Sequence, residues 1–197
     1  MLSDTREKVL DATLECLVRN GYSGTTARAI GQTGGFAPGV IYYHFADLDA
    51  VLMAAVQRSS QERAARYSEG LAGLDRAREV VDVLRKLYDE DVAVGHVAAV
   101  QELYAGARPG SPLAALLAAE TTRWEALGVD VLTRLLRGKP LGSLVRIPTL
   151  ASAGVAFYLG METLTHLDGD RSRPEKLFDQ ASRLASVFDR IPRLRRK

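Results

Sequence analysis

The sequence has one cysteine, one tryptophan and no unbroken apolar run near the ~18–20 residues that a bilayer span needs. Cys16 alone cannot close an internal disulfide. No Cys/His cluster at ligand spacing points to a structural metal, so neither a staple nor a cofactor is expected. No nucleophile, base and orienting group stand together, and no glycine-rich phosphate loop is present, which leaves catalysis without residues to rest on. The first residues (Ser3, Asp4, Thr5, Arg6, Glu7) are polar with mixed charge, unlike a secretory leader. These absences lead to the expectation of a soluble cytoplasmic protein, not an enzyme and without membrane contact. What is present is 47% apolar and 25% charged residues, enough to fill the core of one or two compact units.

The formal net charge is only +2 over 197 residues, but it is unevenly spread. Residues 1–60 carry Arg6, Lys8, Arg19, Arg28 and Arg58 against Asp4, Glu7, Asp11, Glu15, Asp47 and Asp49, a net of −1. The positive excess sits in the last 27 residues, with Arg190, Arg193, Arg195, Arg196 and Lys197 at the end. A nucleic-acid reader at the amino end would therefore work without a strong basic field.

Helical periodicity runs through the whole chain, and the fold class it predicts is all-α. Val9, Leu10, Thr13, Leu14, Cys16 and Leu17 share a face opposite Asp11, Glu15 and Arg19, and Gly21 is placed to stop that helix. Thr25 or Thr26 caps a short second helix to about Thr33. Gly34-Gly35 is the turn signal, and Pro38 suits the first turn of a third helix holding Val40, Ile41, Tyr42 and Tyr43. Asp47 caps a fourth helix from Leu48. Beyond the Gly70–Gly73 break, a segment from Asp75 to about Ala107 reads as one kinked helix or two, divided near Asp89-Glu90-Asp91 and Gly95. Ser111 caps the next helix, residues 138–148 read as a loop, and helices from about Thr149 to Leu167 and from Ser172 to Asp189 follow.

A short helix, a glycine turn and a second short helix, braced by an amphipathic helix, is the helix-turn-helix arrangement, whose second short helix can enter a DNA major groove. Residues 25–45 fit it. The runs Gly21-Tyr22-Ser23-Gly24-Thr25-Thr26-Ala27-Arg28-Ala29-Ile30-Gly31, Gly34-Gly35-Phe36 and Gly39-Val40-Ile41-Tyr42-Tyr43-His44-Phe45 resemble the amino-terminal domain of the tetracycline-repressor (TetR) family over about residues 4–60. The resemblance implies a helix-turn-helix domain over 1–47 and a helical ligand-binding and dimerisation domain over 48–197, with the fourth helix, 48–68, as connector. It further implies a homodimeric repressor that binds palindromic operator DNA and is released by a small-molecule effector. On matching positions the DNA contacts fall to Thr25, Thr26 and Arg28 from the second helix. Around the third they fall to Ala37, Pro38, Gly39, Val40, Tyr42, Tyr43 and His44.

Four positions depart from the family pattern in the same direction. Ala37, Pro38 and Val40 stand where polar residues are common, and Leu48 stands where a phosphate-contacting Lys is usual. Ala37 is a poor cap, Pro38 has no amide to offer a phosphate, and Val40 retains only apolar contact with a thymine methyl.

Candidate effector contacts are Leu52, Met53 and Val56 on the connector, which also form the expected relay, with Tyr88, Tyr104, Trp124, Tyr158, Glu162 and His166 beyond it. His96 and Glu102 are further candidates beside them. Glu162 and His166 share a face, but two ligands without a third make a poor metal site. Phe157, Gly160, Met161 and Leu164 on one helix, and Leu177, Ala181, Leu184 and Phe188 on the next, form stripes suited to a symmetric four-helix dimer interface or to burial within one subunit. A helix-turn-helix dimer with weakened operator binding, one without any ligand, and an all-α enzyme are the other classes left open.

Overall fold

The computed structural model describes residues 2–193; the basic cluster Arg195, Arg196 and Lys197 lies outside the described residues. The fold is all-α, and the described residues contain no strand. Nine α-helices follow one another: α1 (Leu2–Gly24), α2 (Ala27–Gly34), α3 (Gly39–His44), α4 (Leu48–Gly70), α5 (Ala77–Ala93), α6 (His96–Gly106), α7 (Pro112–Leu136), α8 (Ile147–Asp168) and α9 (Ser172–Arg190). Among the described residues, no helix is long and apolar enough to cross a membrane.

The expected caps are present. Thr26 accepts from Ala29 N at 3.2 Å, Asp47 from Ala50 N at 2.7 Å and Ser111 from Ala114 N at 3.1 Å, each satisfying a donor that a helix start leaves unpaired. Two boundaries differ from expectation. The acidic run Asp89-Glu90-Asp91 lies inside α5 and does not break it, because Asp91 is buried and bonded to the Arg66 guanidinium and the Tyr67 hydroxyl. The division comes at Gly95, which caps α6 with a left-handed backbone. Residues 138–148 include a 3-10 turn (Pro140–Ser143) and the start of α8, whose first turn accommodates Pro148.

The chain forms two compact units, cut differently from the expected boundary at residue 47. The first comprises residues up to Arg63 together with Val94–Glu120; the second comprises Ala64–Ala93 and the residues from Thr121 onward. In the first, Val9, Leu10, Cys16, Ile30, Ile41 and Val51 form a core shared by α1 to α4. A second cluster explains why α6 joins this unit: Leu17 and Leu52 pack with Ala99, Leu103, Leu113 and Leu117. In the second unit, Val80 on α5 and Ala185 on α9 close over Val131 and Leu135 of α7.

Candidate nucleic-acid interface

The interface begins where α1 breaks. Gly21 has φ +69°, a conformation that side-chain residues rarely adopt, and an added Cβ would lie 2.6 Å from the Glu102 carboxylate. That carboxylate accepts the Tyr22 amide at 2.9 Å, tying the end of α1 to α6. The turn between α2 and α3 is equally close-fitting. A Cβ on Gly31 would meet Phe36 O at 2.7 Å, where Phe36 N already donates back to Gly31 O at 3.0 Å. Ile30 and Ile41 are wholly buried and clamp the two short helices onto α1. Phe45 is buried after α3, with the Arg6 guanidinium 5.1 Å from its ring centre.

This scaffold leaves Tyr42 and Tyr43 on the surface, 55% and 73% exposed. Both phenols point away from the core although α3 is only six residues long. Thr26, Arg28, Ala37, Pro38 and Gly39 are exposed as well, and the half-buried His44 meets Tyr43 edge-on at 5.0 Å. The electrostatics around them are thin. Arg58 is bound to Glu7 at 2.5 Å and to Asp11, and Arg19 to Glu15 at 2.6 Å, whereas Arg28 forms no ion pair among the described residues.

Two of the expected DNA contacts are corrected. Thr25 is 3% exposed and its hydroxyl donates to Gly21 O at 2.7 Å, so it braces the α1–α2 corner and is unavailable to DNA. Val40 packs half-buried against the first core, which limits what it can offer a groove, and Leu48 packs there too.

The candidate effector residues are divided between the two units. Leu52 and Val56 are buried in the second cluster of the first unit, Met53 is half-buried, and Tyr104 is exposed. In the second unit, Trp124 packs edge-on against Tyr67 at 5.1 Å and Tyr158 against Tyr88 at 6.5 Å, while His166 is exposed. Glu162 faces Tyr88, not His166: the Tyr88 hydroxyl donates to its carboxylate at 2.8 Å. Among the described residues no group of three ligating side chains could hold a metal.

Burial pushes the Glu162 carboxyl above its ordinary range, against the opposing pull of the Tyr88 hydrogen bond and Arg171. Its contribution to stability is therefore fully present below the ordinary carboxyl range and lost as pH rises through the folded value. Glu162→Gln keeps an acceptor for Tyr88 and removes the charge. The variant is expected to be more stable than the parent near pH 8, with the difference vanishing near pH 3. Urea unfolding over a pH series reads this, and a less stable variant at pH 8 contradicts it.

On α8, Phe157, Gly160 and Leu164 are exposed, as is Leu184 on α9; Leu177 and Ala181 are half-buried. Met161 and Phe188 are corrected. Met161 is buried, and Phe188 packs into its own unit's core beneath the Lys139 ammonium, 4.7 Å from the ring centre. Leu150 and Leu167 on α8, with Val187 on α9, extend the exposed apolar stripes instead.

Comparison with known proteins bears on both units. Residues 9–55 match the family described as "Bacterial regulatory proteins, tetR family". The chain is 28% identical over 113 residues to the HTH-type transcriptional regulator UidR of Escherichia coli, covering 57% of each chain. It is 31% identical over 86 residues to the HTH-type transcriptional repressor AcnR of Corynebacterium diphtheriae, covering 44% of this chain and 41% of that one. The alignments thus span little more than half the length of the curated relatives, or less. The fold matches the crystal structure of the transcriptional regulator FadR from Bacillus subtilis in complex with stearoyl-CoA. There the TM-score is 0.71 at 15% identity, over 94% of this chain and 98% of that one.

Proposed function

We propose that this chain, whose residues 9–55 match the tetR family of bacterial regulatory proteins, acts as a homodimeric transcriptional repressor that binds palindromic operator DNA and is released by a small-molecule effector. The observation that carries this reading is a six-residue helix, fixed by buried Ile41 and Phe45, that turns two tyrosines outward. Core aromatics face inward. An exposed adjacent pair on a clamped short helix has the form of a groove reader, with phenol hydroxyls for phosphates and base edges.

The curated relatives with regulator and repressor names support the transcriptional role. The exposed apolar stripes of α8 and α9 support a symmetric dimer, because a second copy covers the same stripes by isologous pairing. Such a dimer presents two α3 helices to successive major grooves, ~34–36 Å apart. A structurally similar regulator crystallised with stearoyl-CoA supports effector control. Within the first unit, the Glu102–Tyr22 bond and the Leu52–Leu103 cluster give α6 a direct hold on α1 and α4, a relay broader than Leu52, Met53 and Val56 alone.

The apolar Val40 and Leu48 favour a second reading, a dimer of the same fold with weakened operator binding. Selection of bound duplexes from a random pool at low salt separates the two. Enrichment of an inverted repeat supports the repressor, and a pool that stays random overturns it.

A further inference from the structure

The first unit contains a partly open cleft of about 270 Å³ at the junction of the α1 end, the first turns of α4 and the α6–α7 connection. Its apolar floor is Leu52, Met53 and Leu113. Asp49 and Arg108 stand on different elements at its margin, and the Tyr22 ring closes one side. Asp49 and Arg108 are both exposed, and neither forms an ion pair among the described residues. The Ser111 hydroxyl, already accepting Ala114 N, retains its own proton for a further acceptor in the cleft.

We propose that this cleft binds a small amphipathic carboxylate that also carries a hydrogen-bond donor, an aliphatic amino or hydroxy acid. The guanidinium and the Ser111 hydroxyl supply donors for a carboxylate, and Arg suits that group because its fork can bind both oxygens. Asp49 accepts from the ligand's amino or hydroxyl group. The three apolar side chains cover its hydrocarbon body. The volume lies just below the 300–1,000 Å³ of sites that bury drug-sized molecules, which selects a small metabolite and excludes a long acyl chain.

The position gives such a ligand a regulatory role. Asp49, Leu52 and Met53 belong to the first turns of α4, shortly after α3, while Arg108 and Ser111 belong to the α6–α7 connection and Leu113 to the first turn of α7. Tyr22 is the residue whose amide Glu102 holds. A bound ligand therefore bridges the start of α4 to the segment following α6, favouring whichever arrangement of these elements closes the cleft. This role rests on the proposed function; the binding itself does not.

The test is a titration of the full chain, without DNA, followed by NMR of methyl-labelled Met and Leu. The probes are leucine, its hydroxy analogue, 4-methylpentanoate and isopentylamine, with the other four- to six-carbon amino and hydroxy acids as a panel. At least one amino or hydroxy acid is expected to shift the Met53 methyl and to bind about tenfold or more tightly than the plain acid and the amine. Arg108→Gln is expected to lower that affinity about tenfold. Asp49→Asn weakens amino acids far more than hydroxy acids, which distinguishes the two sources of the donor. Both residues are exposed, so unchanged melting of the variants shows that the fold is intact. The proposal is overturned if no panel member perturbs Met53, or if the perturbation is the same in both variants. Because no DNA is present, failure here leaves operator binding standing, and failure to bind an operator leaves this result standing.

Discussion

Replacing Tyr42 and Tyr43 together by alanine is expected to reduce specific operator affinity about a hundredfold or more while leaving the melting curve in place. Neither ring is part of the core, so truncation opens no cavity and folding stability should change by no more than about 0.5 kcal/mol. The binding loss is large because little else on this face can replace them. Ala37 and Pro38 offer no side-chain hydrogen bond, and Val40 and Leu48 are turned into the first core. Among the expected contacts the polar ones reduce to Thr26, Arg28 and the two phenols, with His44 half-covered beside Tyr43. Each good contact to a base or phosphate is worth about 1–3 kcal/mol, and 1.4 kcal/mol is tenfold. Fluorescence anisotropy on a labelled duplex measures the loss. A double variant that binds within threefold of the parent places the reading surface elsewhere.

The second large effect is expected at the other end of the chain. Leu164→Asp combined with Leu184→Asp is expected to convert the proposed dimer to monomers at micromolar concentration, raising the dissociation constant more than about a thousandfold. In one protomer both leucines are already more than half exposed, so a carboxylate there remains hydrated and costs the fold little. In a symmetric dimer the same substitutions put four carboxylates into one apolar contact, where each unpaired charge costs several kcal/mol. Sedimentation velocity reads the change, and circular dichroism shows that the helices persist. Operator binding should fall with the dimer, because each half-site then has to be held separately. A variant that remains dimeric assigns these stripes to another use and moves the interface off α8 and α9.

Much of the fold was readable because local chemistry and tertiary packing agree. Thr26, Asp47 and Ser111 are capping residues by chemistry and are caps in the structure, and the face Val9–Leu10–Thr13–Cys16–Leu17 is buried as its period requires. The errors lie where a side chain's destination depends on something distant in sequence. Thr25 and Thr26 are equally plausible caps, but only the corner made by Gly21 decides that one turns inward. Val40 and Tyr42 are neighbours on a short helix whose exposed side is set by where Ile41 is anchored. Asp91 reads as part of a breaking acidic run until Arg66 and Tyr67, 25 and 24 residues away, are seen to bond it. Met161 and Phe188 fit the dimer stripes by period, and neighbouring helices claim them instead. The cleft was the least legible feature, since Tyr22, Asp49 and Arg108 are ordinary surface residues until three separate segments meet.

The central claim is that this chain reads DNA sequence through α3. Its most direct test is the ratio of affinities for the duplex enriched by selection and for a scrambled duplex of the same length, measured for the unmodified protein across a salt series. The expected ratio is at least about a thousandfold at moderate salt, within the span of specific regulators. The logarithmic salt dependence should be shallow, because few cations on this surface are free to displace counterions from phosphates. A ratio near one at every salt concentration contradicts the account.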